Sequence, residues 1–103
     1  MSYSPYSPMT KEPFVLDLAD CKEANDLHRR IRITFGFPGY YGENWDAMWD
    51  CLTDIFLHED DRRAILVKGY EAMDKEMQDY CQPMKQIFSL LQQEYPGISV
   101  RYL

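Results

Sequence analysis

Three regularly spaced aspartates are the residues in this sequence with the clearest chemical potential. Asp46, Asp50 and Asp54 recur every fourth residue in the segment WDAMWDCLTDIF, residues 45–56, which contains no lysine or arginine. In a helix they form one stripe, and each i, i+4 pair of like charges costs about 0.2–0.5 kcal/mol. Only Asp46 lies in the first turn, where the helix dipole favours a carboxylate. The stripe is therefore either a solvated face or a face that meets a cationic partner.

Aromatic residues surround this stripe. Trp49 and Thr53 flank the aspartates on the helix, and Tyr40 and Tyr41 precede it in a loop. Aromatic and charged anchors on a rigid helix face are typical of interaction hot spots. Each tyrosine either extends this surface or packs back onto the core.

The sequence gives little support for catalysis or metal binding. Cys51 has no histidine beside it, and its place at the border of the core predicts a structural thiol. His28 and His58 lack the spacing of helical metal sites, and we expect His28 to be a half-buried packing residue. A single helix face supplies too few converging oxygens for Ca²⁺ or Mg²⁺. We therefore predict a protein that is not an enzyme and holds no metal ion or cofactor.

Composition limits the class of partner. The 103 residues include 11 basic and 17 acidic side chains, a formal charge of −6, which is the wrong balance for binding nucleic acid. An acidic protein attracts basic proteins instead. No run approaches the roughly 18 apolar residues that cross a bilayer, and the N-terminus does not resemble a secretory signal. We expect a cytoplasmic protein, monomeric when free, with free cysteines and no membrane contact.

Turn residues and periodicity predict the elements that hold the stripe. Residues 1–12 predict a flexible tail, followed by a domain over residues 13–103. FVLDL at 14–18 predicts a strand, and Asp20 with Glu23 predicts a capping box for the next helix. That helix carries apolar residues at helical spacing: Ala24, Leu27, Ile31 and Phe35. After a glycine-rich loop, Asn44 is a good N-cap for the helix of residues 45–56, whose core side we assign to Trp45, Met48, Leu52, Ile55 and Phe56.

The second half of the sequence predicts two more strands and a divided helix. Residues 58–62 predict a solvated acidic loop, AILV at 64–67 a strand, and ISVRYL at 98–103 the last strand. A helical region extends from about Glu71 to Glu94, and Pro83 divides it because proline is tolerated only in a first turn. Alternating strands and helices predict a parallel sheet, and hence a small α/β domain.

A longer motif surrounds the stripe. PGYYGENWDAMWDCLT at 38–53 closely resembles the signature of the barstar family of small intracellular ribonuclease inhibitors. The similarity includes DLH at 26–28, extends without a gap from about Phe14 to Phe56, and continues weakly beyond. The resemblance implies a small three-stranded parallel sheet packed by about four helices. It also implies that the second helix and the loop before it plug a ribonuclease active site.

The resemblance further implies the residues that bind the partner. Asp50 would be the central anchor for catalytic arginines, and Asp46 a flanking ion-pair partner. Tyr40 would stack on a catalytic base, and Trp49 would pack at the edge. The full set of matching positions is Tyr40, Gly42, Asn44, Asp46, Trp49, Asp50 and Thr53. The implied function is an antidote or immunity protein that masks the active site of a basic ribonuclease.

The sequence departs from the family pattern in several places, which include a longer acidic loop near residues 57–62 and the extra N-terminal tail. Asp54 and Ile55 stand where the family commonly has glycine and an aromatic residue. Leu90 stands where the family has an interface glutamate on its last helix, and Glu94 lies one turn later. These differences leave an alternative open, in which the chain is a barstar-fold interaction module for another basic protein, such as a non-ribonuclease toxin.

Overall fold

A computed structural model describes residues 13–39, 41–57 and 62–103. The strands are β1 (Phe14–Asp17), β2 (Arg63–Lys68) and β3 (Ile98–Tyr102). The helices are α1 (Ala24–Phe35), α2 (Trp45–Leu57), α3 (Lys75–Tyr80) and α4 (Gln82–Glu94), and a single 3₁₀ turn covers Tyr70–Ala72. The predicted tail, Tyr40 and residues 58–61 of the predicted acidic loop lie outside the described residues.

The three strands form one parallel sheet in the order β1-β2-β3. Phe14 pairs in register with Ile65, which in turn pairs with Val100. Parallel neighbours need a crossover rather than a hairpin, so α1 and α2 connect the first pair and α3 and α4 connect the second. The predicted α/β class and the three-stranded parallel sheet are confirmed. No helix in the described ranges is both long and apolar enough to span a membrane.

The apolar spacing in the sequence identifies the core. Three helices each bury one side in a single core, with α1 contributing Leu27, Ile31 and Phe35, α2 contributing Met48, Leu52 and Phe56, and α4 contributing Met84, Phe88 and Leu91. Trp45 and Ile55, also assigned to the core side of α2, are half-buried and pack at its margin. The division of the last helical region is confirmed, because α3 ends at Tyr80 and Pro83 lies in the first turn of α4.

The predicted capping box of α1 is wrong. The N-cap of α1 is Glu23, which makes no side-chain cap hydrogen bond. Asp20 lies before this cap, too far from the first turn to act as the N-cap, and its carboxylate is 3.3 Å from the guanidinium of Arg30 on α1. The carboxylate of Asp26 accepts a hydrogen bond from the backbone N–H of Lys22 at 3.3 Å, which ties the start of the helix to the preceding loop.

Candidate protein-binding surface

The start of α2 is fixed by a side-chain cap. Asn44 accepts a hydrogen bond from the backbone N–H of Ala47 at 2.8 Å through Oδ1, as predicted, and its Nδ2 donates to the carbonyl of Gly42 at 3.2 Å. A Cβ atom on Gly42 would lie 3.1 Å from that Nδ2, so the glycine leaves room for the cap. Glu43 adopts a left-handed backbone with φ 54°, which costs a non-glycine residue about 1–2 kcal/mol. The loop therefore accepts local strain in order to present α2 at a defined position.

The exposed side of α2 carries the three aspartates, and we call Asp46, Asp50 and Asp54 the acidic face. All three side chains are exposed, while Met48 and Leu52 are buried on the opposite side. Within the described ranges none of the three aspartates forms an ion pair. The last turn of α2 contains no basic residue, so Asp54 lies near the negative end of the helix dipole without a counterion on its helix. As far as the described residues go, the acidic face is thus an uncompensated charge on a helix whose other side is anchored in the core.

Two grooves border the acidic face. The first, about 550 Å³, separates α2 from α4 and is lined by Asp46, Trp49, Asp50, Gln86, Ile87 and Leu90 together with Trp45 and Pro83. The second, about 410 Å³, separates α2 from the end of α1 and is lined by Gly36, Phe37, Pro38, Asp50, Cys51, Asp54 and Ile55. Asp50 lines both grooves, so its carboxylate lies on the ridge between them. The role of central anchor that the sequence motif implies for Asp50 stays a prediction.

The other residues that the motif predicts for this surface lie on α2 or in the loop before it. Trp49 is half-buried and packs against the core, leaving part of its ring on the first groove. The hydroxyl of Thr53 lies 3.0 Å from the carbonyls of Trp49 and of Asp50, so it donates its proton within the helix. Tyr41 packs into the core, whereas Tyr40 is not described. Gly42, Asn44, Asp46, Trp49, Asp50 and Thr53 therefore occur together at the acidic face or the cap that begins it.

The histidine beneath this surface was not predicted as part of it. His28 is only 1% exposed, so the expectation of a half-buried residue is wrong; Tyr41, Trp45 and Tyr80 enclose its ring. Its Nδ1 lies 2.8 Å from the Tyr41 hydroxyl and its Nε2 lies 2.8 Å from the Tyr80 hydroxyl. Burial lowers the pKa of His28, which favours the neutral ring.

The thiol of Cys51 lies beside two aspartates of the acidic face, Asp50 and Asp54. The thiol of Cys51 is half-buried and free, and its pKa is raised by burial and then by the charges of Asp50 and Asp54. A raised pKa keeps the thiol protonated and poorly nucleophilic. Within the part of the chain that the structure describes, no group of three histidine, cysteine or acidic side chains is placed to hold a metal ion.

Sequence comparisons identify the family. Residues 12–102 match the family described as "Barstar (barnase inhibitor)". The chain belongs to the Barstar family. A protein of Bacillus subtilis (strain 168) named "Putative ribonuclease inhibitor YrdF" is 29% identical to it over 83 residues, which cover 78% of this chain and 85% of that protein. The resemblance at residues 38–53 is thus confirmed, and the Barstar match extends through α4 and β3, where the sequence resembles the family only weakly.

The residues that depart from the Barstar pattern lie on the walls of the two grooves. Asp54 and Ile55 line the second groove, where Asp54 adds a third carboxylate. Leu90 lines the first groove and is 49% exposed. The α4 wall of that groove, formed by Pro83, Gln86, Ile87 and Leu90, carries no charge. The acidic character of this surface therefore comes from α2 and not from α4.

Proposed function

We propose that this protein inhibits a basic ribonuclease by placing the acidic face in the active site of the enzyme. The observation that carries this proposal is that Asp46 and Asp50 are exposed, one helical turn apart, and without an ion pair among the described residues. An enzyme that cleaves RNA must hold phosphates with cationic side chains, and carboxylates bind such groups through strong charge-assisted hydrogen bonds. A row of carboxylates on a rigid helix can therefore occupy the place of the phosphates.

The shape of the surface supports the same arrangement. Asp50 lies on the ridge between two grooves, so it is the carboxylate that would reach deepest into a cleft. Asp46 lies one helical turn before Asp50. The exposed part of Trp49 lines the same groove as these two aspartates, and it would pack at the edge of the enzyme's cleft. Because the cap at Asn44 and the buried side of α2 fix the helix before binding, little conformational entropy is lost on association.

The remaining proposed contacts come from the loop before α2. Tyr40 would stack on the catalytic base of the enzyme, as the family motif implies, while Gly42 and Asn44 hold this loop and Thr53 keeps its hydroxyl within the helix. We further propose that the protein acts in the cytoplasm as an antidote or immunity protein, and that it is a monomer until it meets the enzyme. Neither a cofactor nor a metal ion is needed for this mechanism.

The direct test measures inhibition of RNA cleavage. Barnase, the enzyme in the family description, is the first probe, followed by a panel of other basic ribonucleases. We expect inhibition at a one-to-one ratio by the wild-type protein and loss of most of it in Asp50→Ala. Asp79→Ala is the matched control, because it removes one exposed carboxylate on α3, away from the acidic face. Failure to inhibit any basic ribonuclease, or equal inhibition by Asp50→Ala and Asp79→Ala, would contradict the proposal.

A second candidate is an interaction module that binds a basic protein without nuclease activity. It is favoured by one observation, the uncharged α4 wall at Leu90, where the family has an acidic contact. Affinity purification from the cells that make the protein, with Asp50→Ala as a parallel bait, separates the two candidates. A specific partner lost in Asp50→Ala that degrades RNA supports the inhibitor, and one that does not degrade RNA supports the module.

A further inference from the structure

A chain of polar side chains lies buried beneath the loop that leads into α2. The Tyr80 hydroxyl on α3 is 2.8 Å from Nε2 of His28, and Nδ1 of His28 is 2.8 Å from the Tyr41 hydroxyl. The Tyr41 hydroxyl is in turn 3.5 Å from the carbonyl oxygen of Asn44, the N-cap of α2. Four groups from α1, α3 and the loop thus form one continuous path that ends at the start of the acidic helix.

The number of protons available gives this path a direction. The Tyr41 hydroxyl has one proton, which it donates to the carbonyl of Asn44. With that proton on Asn44, whose carbonyl also accepts from the backbone N–H of Met48 at 3.0 Å, the Tyr41 hydroxyl accepts from His28 and Nδ1 carries the ring proton. A neutral imidazole has one donor and one acceptor, so Nε2 accepts from the Tyr80 hydroxyl. In this arrangement each buried polar atom of the path has a partner, which avoids the cost of an unsatisfied buried group.

Ring contacts connect the same residues to the first residue of α2. The ring of Trp45 lies 4.6 Å from the ring of His28 and 5.2 Å from the ring of Tyr80, measured between centroids. The path therefore holds the helix start in two ways, by a hydrogen bond at Asn44 and by ring packing at Trp45. Trp45 also lines the first groove beside the acidic face.

We propose that Tyr80, His28 and Tyr41 form a one-way hydrogen-bond relay that positions residues 41–44 and the first turn of α2. His28 and Tyr80 are then positioning residues for the acidic face, which they support from below without touching a partner. The effect of the relay on inhibition rests on the proposed function, whereas its direction and its hold on α2 are properties of the free protein.

The relay operates with His28 uncharged. The titratable and charged groups that face its ring are the Tyr41 and Tyr80 hydroxyls and, from the loop, the carboxylate of Glu43, which opposes the effect of burial on the pKa. A second ring proton would sit on Nε2, and the Tyr80 hydroxyl would have to turn from donor to acceptor. Protonation therefore reverses the relay at Tyr80 and places a charge in a buried site.

The first experiment examines the free, ¹⁵N-labelled protein by NMR near neutral pH. We expect a neutral His28 with its proton on Nδ1, and amide shifts at residues 44–48 that change when Tyr80→Phe removes one hydroxyl. Exchange of the amide protons of Ala47 and Met48 should become about fivefold faster in Tyr80→Phe, consistent with the loss of one hydrogen bond that supports them. A proton on Nε2, or shift changes confined to α3, would overturn the relay.

Tyr70→Phe is the matched control. The Tyr70 hydroxyl is also partly buried and hydrogen-bonded, but its partners are the Gln78 carbonyl and the Gln82 side chain, outside the relay. It should leave the shifts and exchange rates of residues 44–48 unchanged. If Tyr70→Phe alters them as much as Tyr80→Phe does, the effect is a general loss of stability and the proposal fails.

The second experiment measures inhibition of barnase by the same proteins. We expect Tyr80→Phe and His28→Gln to weaken inhibition about three- to tenfold, with Tyr70→Phe equal to wild type. Tyr80→Phe decides this test if His28→Gln does not fold. Should the wild-type protein inhibit neither barnase nor any ribonuclease of the panel while the NMR results hold, the proposed function is in error and the relay stands. Unchanged inhibition in Tyr80→Phe overturns the positioning role.

Discussion

Two groups of aspartates on this molecule have opposite electrostatic surroundings. Three aspartates, one before α1, one on α1 and one on α3, have a cation of the same chain nearby: Asp20 has Arg30 at 3.3 Å, Asp26 has Arg29 at 3.7 Å and Asp79 has Lys75 at 3.2 Å. On α2, in the residues that the structure describes, the acidic face has no such partner. These three aspartates are therefore neutralised by neighbouring residues, whereas the acidic face remains available to an external cation.

The contrast extends to helix capping. Asp74 caps α3, and its carboxylate accepts a hydrogen bond from the backbone N–H of Met77 at 3.0 Å. In α2 the uncharged side chain of Asn44 is the N-cap, so neither Asp46 nor Asp50 caps this helix. Substitution of a capping aspartate and substitution of a partner-binding aspartate should therefore have different effects on stability and on binding.

The largest effect is expected for Asp50→Ala in the complex with the target ribonuclease. Truncating one partner of a buried charge pair costs about 2–5 kcal/mol of binding free energy, a range to which the family's own barnase–barstar complex contributes. The free energy of unfolding should stay the same or rise slightly, because a like-charge repulsion is relieved. Calorimetric titration and urea unfolding measure the two quantities. Loss of the fold with an intact complex would show that Asp50 is structural.

The next effect is a pH dependence of the free energy of unfolding that comes from His28, which is buried and uncharged, in contrast to the acidic face. Because burial lowers the pKa of folded His28, the unfolded chain binds a proton more readily. The stability that His28 contributes is therefore complete above about pH 6.5, the ordinary histidine value, and is lost as the pH falls toward the lowered pKa of the folded state. For one proton the slope is at most about 1.4 kcal/mol per pH unit.

Urea unfolding between pH 7.5 and 5.5 checks this expectation. The free energy of unfolding of the wild-type protein should fall toward pH 5.5, and that of His28→Gln should change less. A steeper loss in His28→Gln than in the wild type would contradict the assignment of the neutral ring, since the titrating group would then lie elsewhere.

Asp74→Ala should give the reverse of the Asp50→Ala result. Loss of an N-cap costs about 1 kcal/mol of unfolding free energy, while binding to the ribonuclease should not change because Asp74 lies at the start of α3. Urea unfolding and calorimetric titration on the same two variants make the comparison. Equal effects of Asp50→Ala and Asp74→Ala on either quantity would remove the distinction between the two groups of aspartates.

The sequence predicted the elements better than it predicted the contacts between them. The apolar spacing of Leu27, Ile31 and Phe35 and the cap at Asn44 are local signals, and both are confirmed. The capping box at Asp20 is wrong because α1 begins only at Ala24, and the Asp20 carboxylate pairs with Arg30, ten residues away in the sequence. A capping motif describes only neighbouring residues, so it contains no information about an ion-pair partner further along the chain.

The same limit explains which part of the candidate surface was missed. The acidic face follows from the i, i+4 spacing of Asp46 and Asp50 on one helix, so the sequence alone indicates it. His28 and Tyr80 meet across 52 residues, and no spacing rule connects α1 to α3. The only signal for His28 was its place in the DLH element of the family motif, which names a position but not its hydrogen-bond partners.

The smallest expected effects are changes in the free energy of unfolding, which should have opposite signs for one aspartate of each group. Asp54→Asn removes a repulsion from Asp50 and an unfavourable interaction with the helix dipole, so the free energy of unfolding should rise by about 0.3–1 kcal/mol. Asp79→Asn removes an i, i+4 attraction to Lys75 and should lower it by about 0.3–0.5 kcal/mol. In about 1 M salt, where the screening length is about 3 Å, urea unfolding should show both differences shrinking toward zero. If one carboxylate is unpaired and the other is ion-paired, the two changes in unfolding free energy should have opposite signs at low salt and should both approach zero at high salt. Two changes of the same sign would mean that the charge on α2 is already balanced within the chain, and that no partner is needed to explain it.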